Sequence, residues 1–168
     1  GGKSGMSIAA NFTQVNSIKK SPINDSTAVG QSGTMGYTTT FFSVGDEVYY
    51  QEASLEVTKK FSKKWKGIFT YLYQTYNKFI AEGHSDNQDN NLIYSQIGIA
   101  DVTWNIDPKH SLRCELQGLW TKQDKGDWAA ALLEFTVAPH WFITLQDQWN
   151  YGNTDKEMQL HYYNVSGG

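Results

Sequence analysis

The feature that most constrains the fold of this chain is a two-residue alternation of apolar and polar side chains. It is clearest at residues 111–122, where only Leu119 breaks the pattern. Successive side chains of a β-strand point to opposite faces, so a period of two predicts a strand with one apolar and one charged face. The even-numbered positions form the apolar set, or apolar parity: Leu112, Cys114, Leu116, Gly118 and Trp120. The odd-numbered positions form the polar set, or polar parity: Arg113, Glu115, Gln117 and Thr121.

Seven further segments have strand character, whereas no capping box is followed by a sustained helical stripe of apolar residues. β-branched and aromatic residues, which favour strands, are plentiful. We therefore predict a nearly all-β chain in which consecutive strands pair as antiparallel hairpins. The predicted strands span about 5–18, 46–59, 65–79, 91–106, 111–122, 127–137, 141–150 and 156–166.

The predicted connections alternate in character. Tight turns are expected at 60–64, 107–110 and 138–140, and more polar joins at 19–45, 81–90, 123–126 and 151–155. Barrels that span a membrane have short turns at one rim and longer loops at the other, and their strands need about 9–11 residues to cross. Together these features predict an all-β, antiparallel, up-and-down transmembrane β-barrel of about eight strands.

The six tryptophans provide a second, independent pattern, because all of them lie near predicted strand ends. An indole ring favours a membrane interface, where its ring meets the apolar side and its N–H still reaches water. We predict two aromatic girdles, although tryptophans that cap a soluble core are the alternative interpretation. Trp65, Trp104 and Trp141 lie beside the tight turns, and Trp120, Trp128 and Trp149 lie beside the polar joins.

If the apolar faces point to lipid, a cluster of charged side chains is left to face the lumen. This cluster either sets the selectivity of a pore or fills a narrow barrel as an ion-paired plug, and eight strands favour the plug. Asp147 does not fit, because its parity places a carboxylate among apolar neighbours. The predicted lumen-facing residues are Glu52, Glu56, Asp101, Arg113, Glu115, Gln117 and Glu134.

Other functional classes find little support in the sequence. Fourteen basic and seventeen acidic residues give a net charge of −3 without a clustered basic stripe, so nucleic acid is not an expected partner. The four histidines are scattered, and no hydrolase, zinc-protease or nucleotide-binding motif is present, so no enzyme is predicted. The expected partners are a lipid bilayer or detergent, with room for a protein partner at the long loops.

No metal or cofactor is predicted either. Cys114 is the single cysteine, which excludes a multi-cysteine metal site. The loop at 85–91 offers oxygen atoms that suit Ca²⁺, but it lacks the glycine and the terminal glutamate of an EF-hand loop. It is interpreted as a solvated, turn-forming loop.

Three segments carry a resemblance to a known class of proteins: Glu52–Val57, Lys60–Trp65 and Leu112–Gln117. With these strand and turn patterns, the chain resembles porin-like outer-membrane β-barrel proteins of the Bacteroidota, in particular one of their uncharacterised families. The resemblance covers most of the chain from about Ser7 and implies a bacterial outer-membrane location. It carries over no functional residue.

Two further expectations concern completeness. The resembling family has longer members whose barrels close with a terminal aromatic residue, whereas this chain ends in Val165-Ser166-Gly167-Gly168. Residues 1–168 are therefore expected to form one barrel domain or a contiguous run of strands from a larger barrel. For these eight strands we favour closure, with the strand at 5–18 paired to the strand at 156–166.

A soluble, lipocalin-like, eight-stranded barrel that binds a small apolar ligand is the alternative function. Such a barrel turns its apolar face inward and its charges outward, whereas a membrane barrel does the reverse. Alternation alone does not say which face is inside. The two interpretations are separated by the relative exposure of the faces.

Overall fold

A computed structural model describes residues 5–23, 38, 42–82 and 92–168. Eight strands form one antiparallel sheet whose spatial order follows the chain from the first strand to the last, which confirms the predicted all-β, up-and-down arrangement. The strands are β1 (Gly5–Ile18), β2 (Val44–Lys60), β3 (Trp65–Asn77), β4 (Leu92–Asn105), β5 (His110–Trp120), β6 (Trp128–Val137), β7 (Trp141–Trp149) and β8 (His161–Gly167). No helix within the described ranges is long and apolar enough to cross a membrane.

The largest difference from the predicted elements is at the last strand. It was expected from residue 156 but begins at His161, because Lys156–Met158 forms a short 3₁₀ helix. Asp155 caps this helix by accepting a hydrogen bond from the backbone N–H of Glu157 at 3.0 Å. The connection between β7 and β8 therefore runs over 150–160 and is longer than the sequence indicated.

The expected closure of the eight strands is wrong. In the described sheet, β1 and β8 are the two ends of the strand order, and neither is hydrogen-bonded to the other. Closing a sheet requires strand number, tilt and stagger to agree along the whole length of the strands. Agreement of this kind involves residues far apart in the sequence, which the alternation within a single strand does not specify.

Cross-strand register keeps the alternation in phase from β4 to β8. Gly98 lies opposite Gly118, Gly118 opposite Ala129, and Ala129 opposite Trp149. Because residues in register share a face, the positions that continue the apolar alternation of β5 fall on one side of the sheet in all five strands. We call this side the apolar face, and the side that carries Arg113 the polar face. Ile97, Ile99, Leu119 and Leu132 are exceptions and lie on the polar face.

By its internal contacts the chain divides into two compact units. The first comprises Gly1–Phe12, Glu52–Thr75 and Ile93–Gly168, and it contains the three predicted tight turns. In the turn before β3, the hydroxyl of Ser62 accepts hydrogen bonds from the N–H groups of Lys64 and Trp65 at 3.1 and 3.2 Å. In the turn between β4 and β5, an Asp107 carboxylate oxygen accepts in the same way from residues 109 and 110.

The second unit comprises Thr13–Gln51 and Tyr76–Leu92. Its helix α1 (Lys78–Glu82) begins where Asn77 accepts a hydrogen bond from the N–H of Ile80 at 3.3 Å. The amide of the same buried Asn77 donates to Glu47 at 3.4 Å. Asn77 thus links the start of α1 to β2.

Candidate functional site

The best-formed group of charges lies on the polar face and is centred on Arg113. Its Nε donates to an Asp101 oxygen on β4 at 2.6 Å, and one of its terminal nitrogens donates to Glu115 on its own strand. Gln117 also donates to Glu115. Because Asp101 and Glu115 face each other in register, the guanidinium bridges two carboxylates that would otherwise repel.

Glu134 extends this group to the next two strands. It lies opposite Arg113 in the β5–β6 register and accepts hydrogen bonds from the hydroxyls of Thr136 and Thr144 at 3.4 and 3.3 Å. Thr144 is buried and belongs to β7. We call Asp101, Arg113, Glu115, Gln117 and Glu134 the Arg113 network, and it connects β4, β5, β6 and β7.

Two of the predicted lumen-facing residues lie elsewhere in the sheet. Glu52 and Glu56 belong to β2, which is separated from β4 by β3 in the strand order. Glu56 accepts a hydrogen bond from Thr58 on its own strand at 3.4 Å. The structure thus joins the predicted residues of β4, β5 and β6 through hydrogen bonds and register, whereas the two glutamates of β2 lie two strands from β4 in the strand order.

The two faces differ in exposure, and the difference is the reverse of that in a soluble domain. On the polar face, the side chains of Asp101 and Glu115 are 13% and 15% exposed. On the apolar face, Leu116, Leu133 and Leu145 are 55%, 44% and 49% exposed. Charged side chains are rarely enclosed unless they are paired, and large apolar side chains rarely form a continuous exposed surface.

All six tryptophans occupy the first, last or penultimate position of a strand. At the tight-turn end, the rings of Trp65 and Trp104 stack with centroids 5.4 Å apart, and Trp141 meets Phe135 edge-on at 5.8 Å. These side chains are on the apolar face, as the register shows for Trp104 and Trp141. Each of these three tryptophans therefore lies at the end of its strand on the apolar face.

Trp120 marks the opposite end and lies flat over two glycines. A Cβ atom added to Gly118 would lie 2.6 Å from the indole, and one added to Gly98 would lie 3.2 Å from it. The two glycines face each other in register, so they form a shallow seat for the ring. The sequence showed these glycines only as members of the apolar parity.

Trp128 differs from the other five tryptophans. Its position opposite Leu119 places it on the polar face, and its ring stacks on Tyr162 at 5.9 Å. The sequence alternation indicates the same placement, because Trp128 and Ala129 are consecutive residues of a strand and therefore point to opposite faces. It belongs to the polar face by register, not to the belt of rings on the apolar face.

Asp147 has a partner that the sequence did not reveal. One carboxylate oxygen lies 2.8 Å from Nδ1 of His161, whose ring stacks between Trp149 at 5.1 Å and Tyr163 at 5.7 Å. Finding this pair required the register of β7 with β8, in which His161 lies opposite Trp149. The misplaced start of the last predicted strand concealed that register.

Several predictions fall outside the described residues. The candidate Ca²⁺ loop at 85–91 and most of the long connection at 19–45, where a protein partner was expected, lie there. Within the described part of the chain, no group of three or more His, Cys, Asp or Glu side chains is arranged to hold a metal ion.

Comparison with known proteins gives one result. The model of a family described as a family of unknown function (DUF6029) matches residues 1–168. Neither the curated proteins nor the solved structures contain a significant match to the chain.

Proposed function

The chain belongs to the DUF6029 family, whose function is unknown, and we propose that it is an outer-membrane β-barrel protein with a structural or porin-like role. The observation that carries the proposal is the reversed exposure of the two faces. Enclosed, bridged carboxylates on one face and exposed leucines on the other suit a wall between lipid and an aqueous or ion-paired interior. The same observation argues against the lipocalin-like alternative, because the leucines of such a barrel would face its enclosed interior.

The dimensions of the apolar face support the proposal. Trp141 and Trp149 are the first and last residues of β7, and eight residue steps of about 3.4 Å place them about 27 Å apart along the strand. The apolar band of outer-membrane barrels is about 25 Å tall and is flanked by aromatic residues. With some strand tilt, the tryptophans at the two ends of β7 lie near the two interfaces.

The Arg113 network has a role in this proposal as an internal brace. It links four neighbouring strands through side chains that are poorly placed to meet lipid. Its three carboxylates outnumber its single guanidinium, so any open lumen at this level would favour cations over anions. In a narrow barrel the same side chains would fill the interior.

Adjacent residues of β5 allow a direct test of which face meets lipid. A nitroxide label is attached to the native Cys114, and, in a Cys114→Ala background, to Leu116→Cys or Gln117→Cys. Collision with oxygen, which concentrates in lipid, is compared with collision with a water-soluble nickel complex after reconstitution in vesicles. We expect oxygen to dominate at positions 114 and 116 and not at 117, because side chains alternate along a strand.

Two results would contradict the membrane proposal. One is a label at position 117 that meets lipid while the labels at 114 and 116 do not. The other is a monodisperse monomer in buffer without detergent, because the apolar face would then be an exposed patch larger than soluble monomers carry. The second result would favour the lipocalin-like alternative.

A further inference from the structure

A groove of about 520 Å³ crosses the apolar face over β6, β7 and β8. Leu145 forms its floor and is flanked in register by Leu133 and Val165. Cys114 lies beyond Leu133, and Ala131 leaves space next to Asp147 because its side chain is only a methyl group. The groove is therefore apolar along its length and has a carboxylate at one end.

The carboxylate of Asp147 is only partly satisfied. Its Oδ2 interacts with His161, but its Oδ1 is covered and has no hydrogen-bond partner among the described residues. An ionised carboxylate accepts several hydrogen bonds and donates none, and an unpaired oxygen away from water is costly. Asp147 lines the groove, so a carboxylate with one unpartnered oxygen stands at its end.

The depth of this carboxylate suits a lipid headgroup. Asp147 is two residues from Trp149, which places it about 7 Å further along β7 from the strand end. Trp149 and Tyr163, whose rings sandwich His161, are side chains that favour the interfacial level of a bilayer. The apolar part of the groove continues from Asp147 toward Leu145, the direction that an acyl chain would take.

We propose that this groove binds an aminophospholipid, with its primary ammonium on Asp147 and an acyl chain along Leu145. A primary ammonium offers three N–H donors to the carboxylate, whereas the quaternary ammonium of a choline lipid offers none. The anionic headgroup of phosphatidylglycerol would meet Asp147 as a like charge. The inference rests on the proposed membrane location, because the lipid is presented to the groove only there.

The site is tested with the full chain by native mass spectrometry in detergent, with phosphatidylethanolamine, phosphatidylcholine or phosphatidylglycerol of identical acyl chains. We expect about five- to tenfold more bound phosphatidylethanolamine than phosphatidylcholine, as one additional charge-assisted hydrogen bond provides to a carboxylate whose side chain is 35% exposed. Asp147→Asn should abolish this preference. Leu145→Trp, which fills the groove and keeps the carboxylate, should reduce the binding of all lipids there.

Glu157→Gln is the matched control, because it removes one negative charge from the connection between β7 and β8 without touching the groove. It should leave the preference unchanged. Equal binding of the ethanolamine and choline lipids, or a preference that survives Asp147→Asn, overturns the site even if the chain inserts into vesicles. A chain that does not insert overturns the membrane proposal and the lipid site together.

Discussion

Single side chains determine the geometry of the short turns at one end of the sheet. Asp107 accepts hydrogen bonds from the N–H groups of Lys109 and His110 at 2.8 and 3.0 Å, and it also contacts the His110 ring. An aspartate that bonds to the backbone two residues further on is a common way to stabilise a turn. Such bonds are stronger when the carboxylate is ionised.

The first prediction at this scale concerns the pKa of Asp107. The backbone N–H of Lys109 and, next, the side chain of His110 lower this pKa below its ordinary value of 3.8. A lowered carboxyl pKa means that the turn is stabilised above the ordinary pKa and loses that stabilisation as the pH falls through the lowered value. An NMR titration of the carboxyl carbon should give a midpoint below 3.8.

Asp107→Asn is the control for that titration, because it keeps an oxygen acceptor and removes the charge. Its turn should show no change of amide shifts at Lys109 in the same pH range. A midpoint for the native carboxyl at or above 3.8 would show that the hydrogen bonds of the turn do not form.

At the scale of strands and their pairing, the Arg113 network adds side-chain hydrogen bonds to the backbone ladder between neighbouring strands. Asp101 and Glu115 are opposed across β4 and β5, and Arg113 lies between them. Like charges opposed in register destabilise a sheet. The guanidinium therefore offsets a repulsion that would weaken the pairing of these two strands.

The second prediction is that Arg113→Met destabilises the protein by about 1–3 kcal/mol. This is less than the roughly 3–5 kcal/mol for breaking a fully buried pair, because the Arg113 side chain is 36% exposed. Thermal unfolding in detergent, followed by circular dichroism, measures the change. Arg113→Lys should cost less than Arg113→Met, but still something, because an ammonium lacks the planar fork of a guanidinium.

Adding Asp101→Asn to Arg113→Met should recover part of the loss, since the remaining Glu115 then faces a neutral amide. Such recovery is the mark of two residues that interact directly. An Arg113→Met protein as stable as the native one would show that the network does not brace the strands.

At the scale of the whole molecule, the outer edges of β1 and β8 determine whether the sheet is stable in a bilayer. Each of these strands has one hydrogen-bonded neighbour in the described sheet. Met6, Ile8 and Phe12 on β1 are more than half exposed. In hydrocarbon, each unsatisfied backbone group costs several kcal/mol, so an open edge is not stable there.

The third prediction is that, in a bilayer, both edges are paired with strands from outside these eight. Hydrogen exchange of the chain in lipid nanodiscs should then give β1 and β8 amides protection comparable with that of β5, which has partners on both sides. In detergent, where water reaches the edges, the same amides should exchange faster than those of β5. Rapid exchange of both edges in the bilayer would contradict a spanning sheet.

The sequence by itself determined the elements and their order. Period-two alternation, tight turns such as the one at Asp107, and tryptophans at strand ends are local signals, and seven of the eight strands were predicted within a few residues of their bounds. The parity of Trp128 and of Arg113 also followed from the sequence, because the side-chain period of a strand requires no knowledge of its neighbours.

The tertiary structure decided what depends on neighbours. The pairing of Asp147 with His161 depends on the register of β7 with β8. The position of the Trp120 ring depends on Gly98 lying opposite Gly118. The strand order places Glu52 and Glu56 on β2, two strands from β4. The expected closure also failed at this level, because the first and last strands are the two ends of the strand order and are not paired with each other. Alternation states which side chains share a face of one strand, but register and pairing are set by hydrogen bonds between residues distant in sequence, which a local pattern does not encode.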